Sequence, residues 1–364
     1  MVVIKKAWSC YLQDNNNNVY IDTTMGSGAQ LIGHSNKLLR KVNKQINRGT
    51  IYTVPNIHID TVNEFLYQIN PHFSSDYIYC NSGTEANMRA IRLARAYTGK
   101  KTIGYFHGGW HGGIDGLIPS TGVLPEVGKF YKEIPYNEHD SFDYITSDLA
   151  AVIIEPVQGS NPRADIKDFL IKLRNVCDRN NVLLIFDEVL TGFRLAPGGG
   201  AHIFGVTPDI VTYGKVLGGG FPIGAVGGKP AIIDTKGVFY GGTFSANPLT
   251  MYSASLILKA IQQQKIINYD YLNYIGNYFR CKANKFFKNN NLSKHVIGCG
   301  CINRIIHTDK HIRNKKERDL YETDPTFFYD KLAKQNVFVN TNRIIHFSMS
   351  HSKRVVDSLI TSFK

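Results

Sequence analysis

The sequence predicts an α/β protein, a large domain with a mostly parallel sheet plus a smaller C-terminal α+β domain. Three observations predict it. From about 77 to 245, apolar runs alternate with glycine-containing turns and amphipathic helical stretches, the pattern of strand–helix–strand units. After about 250 the texture changes to Tyr-, Asn- and Lys-rich helical stretches with short strands. A length of 364 residues suits one large domain and a smaller one.

In chain order, Val19-Tyr20-Ile21 is an alternating segment before the glycine-rich turn Met25-Gly26-Ser27-Gly28. Residues 36–50 read as a basic amphipathic helix. The strand Tyr77-Ile78-Tyr79 runs into Asn81-Ser82-Gly83-Thr84, and a helix follows at about 85–97 with Ala86, Ile91, Leu93 and Ala94 as apolar positions. Ala151 to Ile154 is a buried strand ending at Glu155. A helix at about 166–179 leads to the strand Val182 to Phe186, which ends at Asp187, and Ile210-Val211 leads to Tyr213-Gly214-Lys215. Beyond these come a helix at about 249–263, short strands near 296–307 and 336–348, and a last helix at 352–363. The expected division is 1–40, an N-terminal segment packing with the small domain; 41–250, the large domain; and 251–364, the small domain.

Composition narrows the function. Hydrophobic residues make up 43% and charged residues 20%, ordinary for a soluble enzyme. No apolar run of membrane-spanning length occurs. The N-terminus lacks the apolar stretch and cleavage site of a secretory signal, so a cytoplasmic location is expected. The six cysteines form no CxxC framework, and they are expected to be reduced structural thiols. The net charge of +13 is spread over the chain, with one denser patch at Arg313, Lys315, Lys316 and Arg318. No nucleic-acid motif accompanies it, so a solvated surface is expected, with neither nucleic acid nor membrane as partner.

Three constellations carry chemistry. Asp187 and Lys215 each follow an apolar strand, and ligands bind at the carboxyl ends of strands in open α/β sheets. A lysine amine able to form a Schiff base, with a carboxylate able to hold a pyridine nitrogen protonated, suits pyridoxal phosphate. On spacing alone a structural Asp–Lys pair at a sheet edge is the favoured alternative. Neither GxxxxGK[ST] nor GxGxxG is met by the glycines after Lys215. At Ser82-Gly83-Thr84 a strand opens into a helix, which suits a phosphate and equally suits an ordinary N-cap. In His107-Gly108-Gly109-Trp110-His111 an aromatic stands among glycines, able to lie against a ring; the glycines argue against a metal-binding helix.

Together, NSGTEAN…AIRLARAYTG, the Trp-His-Gly turn, EPVQG, DEVLTGFR, PDIVTYGK, GGGFPIGA and GGTFSANP resemble the class III pyridoxal-phosphate aminotransferases of fold type I. The nearest likeness is to the glutamate-1-semialdehyde aminomutase branch, and it runs from about Tyr11 to the C-terminus. The resemblance implies pyridoxal 5'-phosphate as cofactor and Lys215 as its Schiff-base lysine and proton carrier. It implies Asp187 as partner of the pyridine nitrogen, Trp110 as the stacked aromatic, and Gly83 and Thr84 as phosphate ligands with Ser82 beside them. It places Glu155 and His111 along the cofactor pocket, and makes Thr243 a phosphate ligand given by the other subunit of a homodimer. Leu190 stands where many class III transferases have a glutamine, and the mutase branch it resembles also has an apolar residue there. The stretch 114–130 is shorter than the mutase lid, and Asn340-Thr341-Asn342-Arg343-Ile344 lacks an expected glutamate. The first expectation is therefore an aminotransferase moving an amino group from a donor, glutamate, to an aldehyde or ketone acceptor. The second is the intramolecular mutase, and the third a catalytically idle pyridoxal-phosphate-binding regulator. Arg343, Ser27 and the 114–130 stretch are candidates for substrate contact.

Overall fold

The computed structural model describes residues 2–118, 120–340 and 343–364. A seven-stranded sheet lies at its centre, in the order Ile78–Cys80, Gly224–Gly228, Ile210–Tyr213, Leu183–Asp187, Leu149–Ile154, Thr102–Phe106, Tyr131–Ile134. Only Gly224–Gly228 runs antiparallel to its neighbours. The mostly parallel sheet is thus as expected.

Alternation along the strands builds the two flanking layers, because successive side chains point to opposite faces. Val152, Ile154, Leu184 and Phe186 join a core with Phe169, Leu170 and Leu173 of the helix Lys167–Asn180. Ala151, Ile153, Ile185 and Ile210 join a second core with Ala86, Ala90 and Leu93 of the helix Gly83–Thr98. All six residues of Leu149–Ile154 are buried, as a strand covered on both faces requires.

The C-terminal residues carry a three-stranded sheet, His295–Cys299, Ile302–Ile306 and Ile345–His346. A third sheet joins Ile4–Trp8, Tyr11–Asp14 and Val19–Asp22 to Val337–Phe338, with Ile21 opposite Val337 in parallel pairing. The helix expected over 36–50 is broken into a 3₁₀ turn, Leu39–Val42, and one short helix, Asn43–Ile46. Only Val42 and Gln45 of these are buried. Lys37, Arg40, Lys41, Lys44 and Arg48 have no acidic neighbour in the segment to pair with, and Gly49 ends it at φ +103°. Among the described residues no helix is long and apolar enough to cross a membrane. All six cysteines are free thiols, and no group of three or more metal-ligating side chains occurs among the described residues.

Candidate active site

The strand Leu183–Asp187 ends at a carboxylate because its first four residues are apolar and its neighbours bury it on both sides. The next strand, Ile210–Tyr213, runs parallel to it with Thr212 beside Asp187. Gly214 then extends the chain, and Lys215 begins a 3₁₀ turn at φ +41°. A left-handed conformation costs a non-glycine residue about 1 kcal/mol or more and concentrates at functional sites. Strand order and turn together bring both side chains to the same cavity of about 180 Å³.

Gly83, Thr84, Trp110, His111 and Glu155 line that cavity too. So do Asn87, Gly112, Val189 and Leu190. Ser82 does not; its hydroxyl caps the helix Gly83–Thr98 by accepting from the Glu85 N–H at 3.1 Å. The N–H groups of Gly83 and Thr84 open this helix and lie outside its own ladder. Backbone comes close here: a Cβ at Gly83 would stand 2.6 Å from Val189 Cγ1. Thr243 lies in an exposed loop away from the cavity lining. Ser27 and Arg343 also stand outside the lining, Arg343 over the Tyr329 ring at 5.3 Å. Of the stretch 114–130, Pro119 is outside the described residues, as are Thr341 and Asn342 of the 340–344 segment.

Asp187 is held by three bonds. Its Oδ1 accepts from the Val189 N–H at 3.0 Å, and its Oδ2 from Asn87 Nδ2 at 2.7 Å. His111 Nδ1 lies 2.8 Å from the same Oδ2. A carboxylate has about four lone-pair sites, so one on Oδ1 is left over. His111 is buried, yet its Nε2 has no protein partner.

Glu155 accepts from the Trp110 N–H at 2.9 Å and the Gly159 N–H at 3.2 Å. Burial pushes its carboxyl up to about 7, and nearby Asp187 pushes the same way. Burial also lowers the Lys215 amine below the usual lysine range, against the pull of Glu155 and Asp187. This favours a neutral amine, the form that can attack a carbonyl or take a proton.

The sequence reading missed Asn87 as a site residue, although the signal was present. Asn87 stands four residues after Gly83 on one helix, hence on the same face.

Glu188, next to Asp187, serves the scaffold. It accepts from Thr191 Oγ1 and from the N–H groups of Gly200 and Ala201, capping the helix Gly199–Phe204. Burial raises its carboxyl to about 7 from 4.5. A raised folded value contributes stability that is complete below about pH 4.5 and lost as pH rises through about 7. Glu188→Gln should therefore flatten the fall in stability between pH 5 and 8 by about 3 kcal/mol. Denaturant unfolding at the two pH values checks this.

Comparison with known proteins decides the family. The class III aminotransferase family model matches residues 1–338. The chain belongs to the class III aminotransferases. A glutamate-1-semialdehyde 2,1-aminomutase of Sulfolobus acidocaldarius is 34% identical, over 98% of this chain and 90% of that protein. Another, of Ignicoccus hospitalis, is 39% identical over 71% of this chain and 67% of its own length. Among solved structures, an omega-transaminase from Sphaerobacter thermophilus superposes with a TM-score of 0.92 at 26% identity, over 100% of this chain and 90% of that one. As a class III aminotransferase this enzyme uses pyridoxal 5'-phosphate. The cavity fits that group. It offers helix-opening N–H groups for a phosphate, an open carboxylate lone pair for a ring N–H, and an unpartnered imidazole nitrogen on a lining side chain.

Proposed function

We infer that this enzyme moves an amino group between adjacent carbons of one substrate, as a glutamate-1-semialdehyde 2,1-aminomutase. The sequence alone ranked transfer between two molecules first; the relatives favour the opposite order. What carries the reading is the likeness to a named mutase over 98% of the chain, and the apolar Leu190 in the cavity wall agrees with it.

When bound, pyridoxal phosphate would supply an electron sink for removal of a proton from the carbon bearing the amino group. Lys215 is assigned the covalent hold on the cofactor and the proton transfer, for which its lowered basicity suits it. Asp187 is assigned the ring nitrogen, and Gly83 and Thr84 the phosphate. Trp110 covers a ring face, and His111 and Glu155 complete the pocket. The Ser82 hydroxyl supports the phosphate site indirectly, through the helix cap. Thr243 belongs to the phosphate site of a second copy, in a homodimer with two shared sites; its exposed loop also presents Phe239 and Phe244 for such a contact. Residues 41–250 are assigned as the cofactor-binding domain, and 251–364, with the N-terminal strands, as the smaller one.

The second reading, an amino donor such as glutamate and a separate carbonyl acceptor, is favoured by the short 114–130 stretch and by the likeness to an omega-transaminase. Donor omission separates the two. Purified holoenzyme given glutamate 1-semialdehyde alone should form the isomer with amino and carbonyl groups exchanged, turnover after turnover. Conversion that stops after about one equivalent per site and resumes on adding glutamate establishes the two-substrate reading instead.

A further inference from the structure

Asn87 lies fully buried beneath the cavity, between two acceptors. Its Nδ2 donates to Asp187 Oδ2 at 2.7 Å and to the His111 backbone carbonyl at 3.1 Å. Turned over, the amide would aim its oxygen at both, oxygen against oxygen. Its orientation is therefore forced, and Oδ1 must accept. The donor is Thr212 Oγ1, at 2.7 Å from the strand beside Asp187. Thr212 and Asn87 are both buried, and an unmet polar group there costs more than a typical hydrogen bond gains.

The consequence reaches His111. Asp187 Oδ2 already accepts from Asn87, and Oδ1 accepts from Val189. Both oxygens thus act as acceptors toward the protein, so the hydrogen in the 2.8 Å contact is assigned to His111 Nδ1. With Nδ1 committed to Asp187, Nε2 is the ring nitrogen left without a protein partner.

We propose that Asn87 and Thr212 are positioning residues: through this hydrogen-bond chain they hold the Asp187 carboxylate in place as an acceptor and the His111 ring with Nδ1 toward it. They act on the cofactor's ring nitrogen through Asp187, and so the inference rests on the role assigned to Asp187 above. A hydrogen bond to a charged group is strong enough that losing it should change binding about tenfold.

The test uses two cofactors, pyridoxal phosphate and its analogue with carbon in place of the ring nitrogen. The dissociation constant of each is read from cofactor absorbance, and kcat and KM are measured in parallel. Wild-type enzyme should prefer the nitrogen cofactor. Asn87→Leu should shrink that preference about tenfold, with the loss in kcat and little change in KM. Thr212→Val keeps the side-chain shape and removes the donor, so it should shrink the preference in the same direction. Thr212→Ser, which keeps the hydroxyl, should restore it. Should both cofactors weaken equally in Asn87→Leu and Thr212→Val, the two residues support only packing and the proposal is overturned. A wild-type enzyme without preference removes the Asp187 assignment and this proposal with it. If Asn87→Leu does not fold, the Val and Ser variants at 212 decide the matter alone.

Discussion

Lys215→Ala should abolish turnover, with a loss of at least about 10⁴-fold, the upper range for removing a positioned acid–base group. Two functions disappear with one amine: the covalent attachment of the cofactor and the carrier of the proton. Among the described residues no second lysine lines the cavity to replace it. The check is direct. Borohydride reduction of wild-type enzyme should fix the cofactor's mass on the peptide containing Lys215, and the alanine variant should yield no such peptide. Cofactor mass still fixed in that variant would assign the attachment to a different lysine. The pH profile follows from the same burial. Protonation silences a lysine base below its pKa, and burial lowers that pKa from 10.5. The acidic limb of kcat should therefore lie below the range of an ordinary lysine.

Asp187→Ala is expected to leave the sheet intact and lower kcat about a thousandfold, in line with losses of a positioned electrostatic partner. The carboxylate sits at the end of its strand, beyond the apolar residues that pack both faces, so the cores keep their side chains. What disappears is the charge that holds a ring nitrogen cationic. Asn87 Nδ2 and His111 Nδ1 also lose their shared acceptor, adding a buried-donor penalty. Circular dichroism together with single-turnover kinetics separates the outcomes. A folded variant with near wild-type rates would remove Asp187 from the chemistry.

Much of this was legible in the residues themselves. The buried strands were plain because apolar runs such as Leu149–Ile154 have few other stable fates in a chain of this composition. Their ends at Glu155 and Asp187 were equally plain, since the first carboxylate after such a run marks the sheet edge. The strand Gly224–Gly228 was hidden: three of its five residues are glycine, with no β preference, and it is a strand because its neighbours on both sides bond to it. The broken helix at 39–46 was misread because spacing alone ignores unpaired like charges. At the site, residue types pointed to Lys215, Asp187 and Thr84, whereas Asn87 matters through what it touches. Contacts between residues distant in sequence, such as Thr212 with Asn87, leave no local trace.

The pairing of Ile21 with Val337 has a bearing on biosynthesis. The strand Val19–Asp22 leaves the ribosome long before its partner Val337–Phe338, because the whole catalytic sheet is made between them. Until then Val19–Asp22 offers an unsatisfied edge to any passing chain, and closing so large a loop is slow. The nascent protein thus carries that edge open while the catalytic sheet is being made, and chaperone demand should fall on Val19–Asp22 rather than on that sheet.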